Sequence, residues 1–460
     1  MSEMRDILVD TAARLFGDLC TNERYAVAEK GEFNGDAWDA LADAGLTRAT
    51  VSEARGGDGA DIGDALALVR EAGRFALPLP LAETLVAELA LAAGGLPAQA
   101  GVGTVGPVVQ SGAAPLQLAR TAKGWELSGT LLRIPSARHA AWLAAVAQCD
   151  GKWTTLLVSG DDLVRAIVRR DINWANEPRD TLVFKRLVLD AKAVGKPGKG
   201  WSAEDMRLNG AMFRVAAMSG GLSRVLQYAV QYAKERVQFG RPIGQFQAVQ
   251  QQLAVLATQS AAASAATDAM IDAVTRGPAQ FEIAAAKARV GEAAHIGSGI
   301  AHQVHGAMGF THEHALHRST RRLWAWRDEF GSEVEWADWV GRVIAQVGGS
   351  KLWSFLTDDD KSGPVRAAGK AAGAVKVSVA PSVSKSPAKV GKAKTAKTST
   401  KVTGKAKPSS KAKPSSKTKP SSKTKPSSKT ESVGQSKKPG AARKAPVKAK
   451  KSAAKGRAEA

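Results

Sequence analysis

The sequence predicts a multidomain α+β chain: an N-terminal helical domain, a middle β-sandwich or barrel, a C-terminal four-helix bundle and a disordered basic tail. Three observations predict it. Apolar residues recur at helical spacing over 1–95 and again over 202–348. Between them lie short runs of β formers separated by Gly, Asp and Asn at hairpin intervals. Charge then divides the chain: from Lys361 to Ala460 there are 28 Lys and Arg against 2 Asp and Glu, which leaves the first 360 residues at a net charge of −4 within an overall +22.

The first domain is placed at 1–98. Ile7, Leu8, Ala12, Leu15 and Phe16 make one apolar stripe, and Trp38, Leu41, Ala42 and Leu46 a second. Ile62–Phe75 and Leu81–Leu91 make two more, and glycine and proline pairs punctuate them. The Gly56-Gly57-Asp58-Gly59 cluster follows no strand and lacks the Lys-Ser/Thr of a phosphate loop, so it reads as a turn. The β domain is placed at 99–200, with strands near Trp125–Leu132, Trp142–Ala147, Thr154–Val158, Leu163–Val168 and Leu182–Leu189. The bundle is placed at 201–348, with helices near 205–235, 243–275, 279–308 and 313–346. Small residues in the third allow close helix approach.

The tail, 361–460, repeats Lys-Ala/Thr-Lys-Pro-Ser-Ser four times between Lys405 and Ser428, and no aromatic residue follows Phe355. Such a composition buries too little apolar area to offset its ordering entropy, so disorder is expected. Its lysines suit polyanions, bound through counterion release without sequence preference. The plainer reading is a solvated extension.

A length of 460 residues supports two or three cores. Cys20 and Cys149 offer no disulfide framework, which fits a reducing cytoplasm. The N-terminus is acidic and amphipathic rather than a signal peptide, and no apolar run is long enough to span a membrane. Six of the seven histidines lie between His295 and His317. Neither cysteine is near them in sequence, so hydrogen-bonded histidines are expected and no metal.

The chemically richest stretch is Glu235–Leu253. Arg236 ends one helix, Phe239-Gly240 turns the chain, and Pro242 suits the start of the next segment. Five glutamines between 245 and 252 are dense for a buried helix. This corner suits an anionic ligand. The plain alternative is a helix-end arginine bonded to the last carbonyls.

Two motifs resemble the acyl-CoA dehydrogenase family. Glu235-Arg236-Val237-Gln238-Phe239-Gly240-Arg241-Pro242-Ile243, with Gln247, is similar to its E-R-x-x-F-G-x-P-I…Q signature. Gln303-Val304-His305-Gly306-Ala307-Met308-Gly309-Phe310-Thr311 is similar to its Q-x-x-G-G-x-G-[FY]-T segment, with Arg321 at the arginine that follows. The resemblance covers roughly residues 1–345. It implies an FAD-dependent oxidoreductase that converts an acyl-CoA thioester to the 2,3-enoyl form, a carboxylate taking the α-proton and the flavin the β-hydride. It further implies that Arg236 pairs with the pyrophosphate of a neighbour's FAD and that Phe239 packs on the cofactor. Gln247, Gln303 and the backbone near Gly306 would complete the site.

Three departures stand out. Where the family has its catalytic glutamate before a glycine, this chain has Phe330 before Gly331, and Glu329 becomes the candidate base only with a one-residue offset. The other helix position used for a base is Gly210. The T-E-P-G-x-G-S-D loop is missing, and Arg133 and Pro135 stand where a Trp and a Thr contact the flavin. Two assemblies fit: a catalytically complete homo-oligomer using Glu329, or a hetero-oligomer in which this chain is the non-catalytic partner of a second dehydrogenase-like subunit. A third reading is a polyanion-binding protein on an inactive dehydrogenase-like body.

Overall fold

The computed structural model describes residues 3–357 except 58, 110–113 and 123, so the predicted tail lies outside the described residues. Five helices open the chain: α1 (Glu3–Leu19), α2 (Asn22–Glu29), α3 (Gly35–Asp43), α4 (Ile62–Arg74) and α5 (Leu81–Ala93). Their starts follow side-chain chemistry. Thr21 caps α2, and Asp61 with Asp64 forms a reciprocal capping box on α4.

The middle region holds β1 (Gly103–Gly106), β2 (Leu116–Thr121), β3 (Gly124–Pro135), β4 (Trp142–Cys149), β5 (Lys152–Ser159), α6 (Asp161–Ala166), β6 (Ile167–Arg169) and β7 (Arg179–Leu189). Its seven strands form one mixed hydrogen-bonded sheet. Strand β5 runs along the whole of β4, so β1 and β2 share the opposite edge, pairing with its first and last residues in parallel. The sheet continues β2–β3–β7–β6 in antiparallel steps. One expectation is corrected here: Leu163–Ala166 is helical, because Asp161 and Asp162 open a short turn of helix before the strand begins at Ile167. Strands β1 and β2 went unpredicted. The first is only four residues long and the second, Leu116–Thr121, has two exposed charged or polar positions in its middle.

The C-terminal region contains α7 (Ala203–Glu235), a hairpin of β8 (Val237–Gln238) and β9 (Arg241–Pro242), α8 (Gln247–Arg276), α9 (Gln280–His305), α10 (Leu316–Asp328), α11 (Glu333–Val347) and α12 (Leu352–Thr357). The single helix expected over 313–346 is two. Phe330 and Gly331 adopt positive φ, at +56° and +97°, and Ser332 starts α11 with a capping box to Glu335. Helices α4 and α7 cross at near backbone contact, since a Cβ on Gly73 would lie 2.0 Å from the Ala217 carbonyl oxygen and one on Gly220 1.8 Å from that of Arg70. One apolar core runs through all these regions, from Phe16 and Leu85 through Trp142 and Leu156 to Phe213, Val290 and Trp336.

Among the described residues no helix is long and apolar enough to cross a membrane.

Candidate functional site

Arg236 ends α7: its amide bonds the Tyr232 carbonyl at 2.8 Å, and its own carbonyl accepts from Ile243 at 2.8 Å. The two turn residues Phe239 and Gly240 both have positive φ, +52° and +79°, as a two-residue type I′ hairpin requires. Glycine adopts this at no steric cost, whereas phenylalanine does not. The Phe239 ring is 93% exposed. Among the described residues the Arg236 guanidinium makes no hydrogen bond or ion pair, so it is not the helix-end cation that bonds the last carbonyls. Arg241 instead lies over the Phe246 ring, 4.3 Å from its centroid. The glutamine-rich start of α8 is largely exposed, Gln247 included.

The second motif ends α9. Gln303 is exposed on the last turn, and Gly306 caps the helix with φ +58° and no atom within 4 Å of where a Cβ would stand. The ring of Tyr232 stacks on His305 at 4.5 Å, so the ends of α7 and α9 lie side by side. Arg236, Phe239, Gln247, Gln303 and Gly306, on or beside these helix ends and the start of α8, are all exposed.

Glu329 stands elsewhere, on the turn between α10 and α11, and is 4% exposed. Its two oxygens are occupied: Oε1 accepts from Arg179 Nε at 2.6 Å and Oε2 from Arg214 Nε at 2.8 Å. Arg214 also bonds Glu83 at 2.5 Å, Arg179 bonds Glu177 at 2.9 Å, and Arg322 pairs with Glu177 at 3.0 Å. An alternating row of six charges thus joins α5, α7, β7, α10 and the 329 turn. Burial pushes the Glu329 carboxyl up, but the Arg179 and Arg214 guanidiniums outweigh it and hold it at about 2. A general base needs access to the proton it removes and a pKa near the working pH, and this buried, doubly ion-paired carboxylate has neither. Arg321, matched to the family arginine, bonds the Trp174 carbonyl and Glu29, both at 2.7 Å.

The residue that takes the expected base position is Phe330, 2% exposed. Its ring lies against Gly210 of α7: a Cβ there would come within 2.2 Å of it. Both positions at which a base was sought are therefore one packed contact. Lys287 of α9, fully buried, donates to the carbonyls of Arg327 at 2.6 Å and Gly331 at 2.7 Å and holds this turn in place. On the β side, Arg133 has φ +57° within an irregularity of the β3–β7 pairing, and Pro135 pairs opposite Arg179.

Sequence reasoning missed Arg179, Arg214, Glu83, Glu177 and Lys287. Arg214 and Lys287 gave a usable signal, since each puts a charge on an otherwise apolar helix stripe. Among the described residues no group of three or more His, Cys, Asp or Glu is arranged to hold a metal.

Family models described as the acyl-CoA dehydrogenase N-terminal and C-terminal domains match residues 2–101 and 198–332. The second span contains both motifs and the 329 turn. A relative, acyl-CoA dehydrogenase FadE27 of Mycobacterium tuberculosis, is 30% identical over 336 residues, covering 68% of this chain and 88% of the relative. The crystal structure of the ChsE4–ChsE5 complex from Mycobacterium tuberculosis matches with a TM-score of 0.70 at 25% identity, covering 76% of this chain and 99% of that one. A variant of the Tcur3481–Tcur3483 steroid ACAD matches with a TM-score of 0.67 at 27% identity, covering 75% and 98%.

Proposed function

Because the chain belongs to the acyl-CoA dehydrogenase family, oxidoreductases acting on acyl-CoA, we propose that it works in a hetero-oligomer as the subunit that lends cofactor contacts to a catalytic partner. The reaction of that assembly is α,β-desaturation of an acyl-CoA thioester with FAD. The observation that carries this reading is an asymmetry. The residues suited to a neighbour's cofactor are exposed and uncommitted, whereas the places where this chain would hold its own base are packed shut.

The exposed half fits a dinucleotide. An unpaired guanidinium offers two parallel donors to a pyrophosphate. Phe239 presents an aromatic face, and Gly306 leaves room for close backbone approach. Gln303 and Gln247 add amide donors and acceptors. Bound FAD would supply the acceptor for the substrate's β-hydride. This chain's part is to bind and orient it, and the α-proton falls to a carboxylate of the partner. Glu329 serves instead as the central anion of the buried charge row. Its role is to fix the turn that seats Phe330 against Gly210. Two of the solved neighbours bear the names of two chains each, which supports a two-chain assembly.

The test is to purify the chain alone and together with a dehydrogenase-like partner, and to measure flavin per chain and acyl-CoA turnover. The expected result is little flavin and no turnover from the lone chain and both from the pair. Stoichiometric flavin with turnover from the lone chain overturns the proposal. A second reading rests on the charge of the sequence from Lys361 onward, a surplus of 26 positive charges: the tail binds polyanions irrespective of the body's chemistry.

A further inference from the structure

Two histidines at the end of α9, His302 and His305, are buried and stacked. His302 lies between Phe310 and Trp324, with ring centroids 4.3 and 5.3 Å away. His305 lies between Tyr232 and His314, at 4.5 and 4.6 Å. His302 Nε2 meets the Thr320 hydroxyl at 2.8 Å, while its Nδ1 is buried and has no hydrogen-bond partner. That Nδ1 faces Gly309 of the motif, where a Cβ would lie 3.1 Å from it.

We propose that this cluster is an acid-sensitive latch: neutral, stacked imidazoles hold Gln303–Thr311 in the shape that faces the cofactor, and their protonation releases it. The inference rests on the lending role proposed above. A protonated His302 would put a charge with an unsatisfied N–H in a buried site close to a second imidazole. The titratable and charged groups facing the cluster do not compensate. Helix α7 contributes Tyr228, Tyr232 and, toward His314, Glu235. The turn before α10 contributes His312, α10 contributes His317 and Arg318, and α2 contributes Glu29, which Arg321 already holds.

Burial first, then the neighbouring His305 and His317, lower His302 to about 4 from 6.5. Burial lowers His305, His314 and His317 as well. Between about 4 and 6.5 the open motif therefore binds more protons than the closed one, so falling pH favours opening across that window and has no such effect above it. His302 alone raises the opening constant on the order of twenty-fold from pH 7 to pH 5.

Hydrogen–deuterium exchange of the full-length chain reads this without flavin. Corrected for the intrinsic pH dependence of exchange, protection over 303–311 is expected to fall by that factor between pH 7 and pH 5, while α5 stays protected. A His302→Phe/His305→Phe variant, which keeps the stacks, is expected to hold its protection at pH 5. His295→Gln, at an exposed position, is expected to behave like the parent chain. If the double variant does not fold, the midpoint of the parent chain's own transition decides. A midpoint inside the window supports the latch. Flat protection in the parent chain, or equal acid loss in the variant without both imidazoles, overturns it. An acid transition in a chain that never binds flavin in any assembly sinks the lending role and leaves the latch standing.

Discussion

Glu329→Gln separates a base from a structural anion. The amide keeps the shape and removes the charge, leaving Arg179 and Arg214 facing each other in a buried space. The carboxylate's fall to about 2 from 4.5 corresponds to roughly 3 kcal/mol of stability. That agrees with the ~3–5 kcal/mol lost when one partner of a buried ion pair is removed. Because the folded pKa is depressed, this contribution is present above pH 4.5 and is lost as pH falls toward 2. Urea denaturation at pH 7 is therefore expected to show a loss of about 3 kcal/mol. Turnover per folded assembly with the catalytic partner is expected to stay within about two-fold of the parent, well short of the ~100-fold or greater loss typical of removing a general base. A collapse of turnover with stability unchanged would refute the reasoning and restore Glu329 as a base.

Arg236→Ala is expected to weaken FAD about ten- to hundredfold in the assembly, the loss of a charge-assisted contact, and to leave the melting curve of the lone chain unchanged; flavin release on dilution measures it. Gly210→Ala is expected to cost about 1–3 kcal/mol through its clash with Phe330, and Phe330→Ala in the same chain to recover part of that in a double-mutant cycle. Burial lowers Lys287 to about 7 from 10.5, although Glu333, Glu329 and Asp328 oppose it, so stability is expected to rise with pH between those values and Lys287→Met to abolish the rise in denaturation series. Truncation to residues 1–360 is expected to abolish salt-sensitive shifts of random-sequence DNA in gels, and equal binding by both forms would exclude the tail as the cause.

Legibility in the sequence followed the range of the interactions. Periodicity exposed the long helices because one apolar stripe per helix is a local signal, and α7 begins within two residues of its expected start. The exposed corner was legible for a similar reason: Arg236, Phe239, Gly240 and Pro242 are adjacent in the chain and make a hairpin on their own. The charge row was not. Glu83 and Glu329 both bond Arg214 from 131 and 115 residues away, and no window of sequence brings them together. The break at Phe330 was hidden because apolar residues on both sides of it keep helical spacing. Gly331 and the capping box at Ser332 and Glu335 were the signals that marked the break and the new start.

The two positions at which a base was sought, 210 and 330, reduce to a single packing contact. Read along the chain, Gly210 and Phe330 are unrelated residues 120 positions apart. In the fold the Phe330 ring occupies the space that any side chain at 210 would need. An aromatic ring at 330 thus requires glycine at 210, and the glycine without the ring would leave a buried hole with its own cost. Phe330 also holds a left-handed backbone that a non-glycine residue adopts only under surrounding constraint, here from Lys287 on the neighbouring carbonyls and from Trp336 Nε1, which donates to the Phe330 carbonyl at 3.0 Å. The turn is therefore held from the side of α9, from α11 and, through Glu329, from Arg179 and Arg214. Placing a carboxylate at 330 alone would set a charge against the backbone of Gly210 inside this frame. Seating a carboxylate at 330 would take a change in the frame as well as in the residue, whereas Arg236 and Phe239 stand exposed outside it.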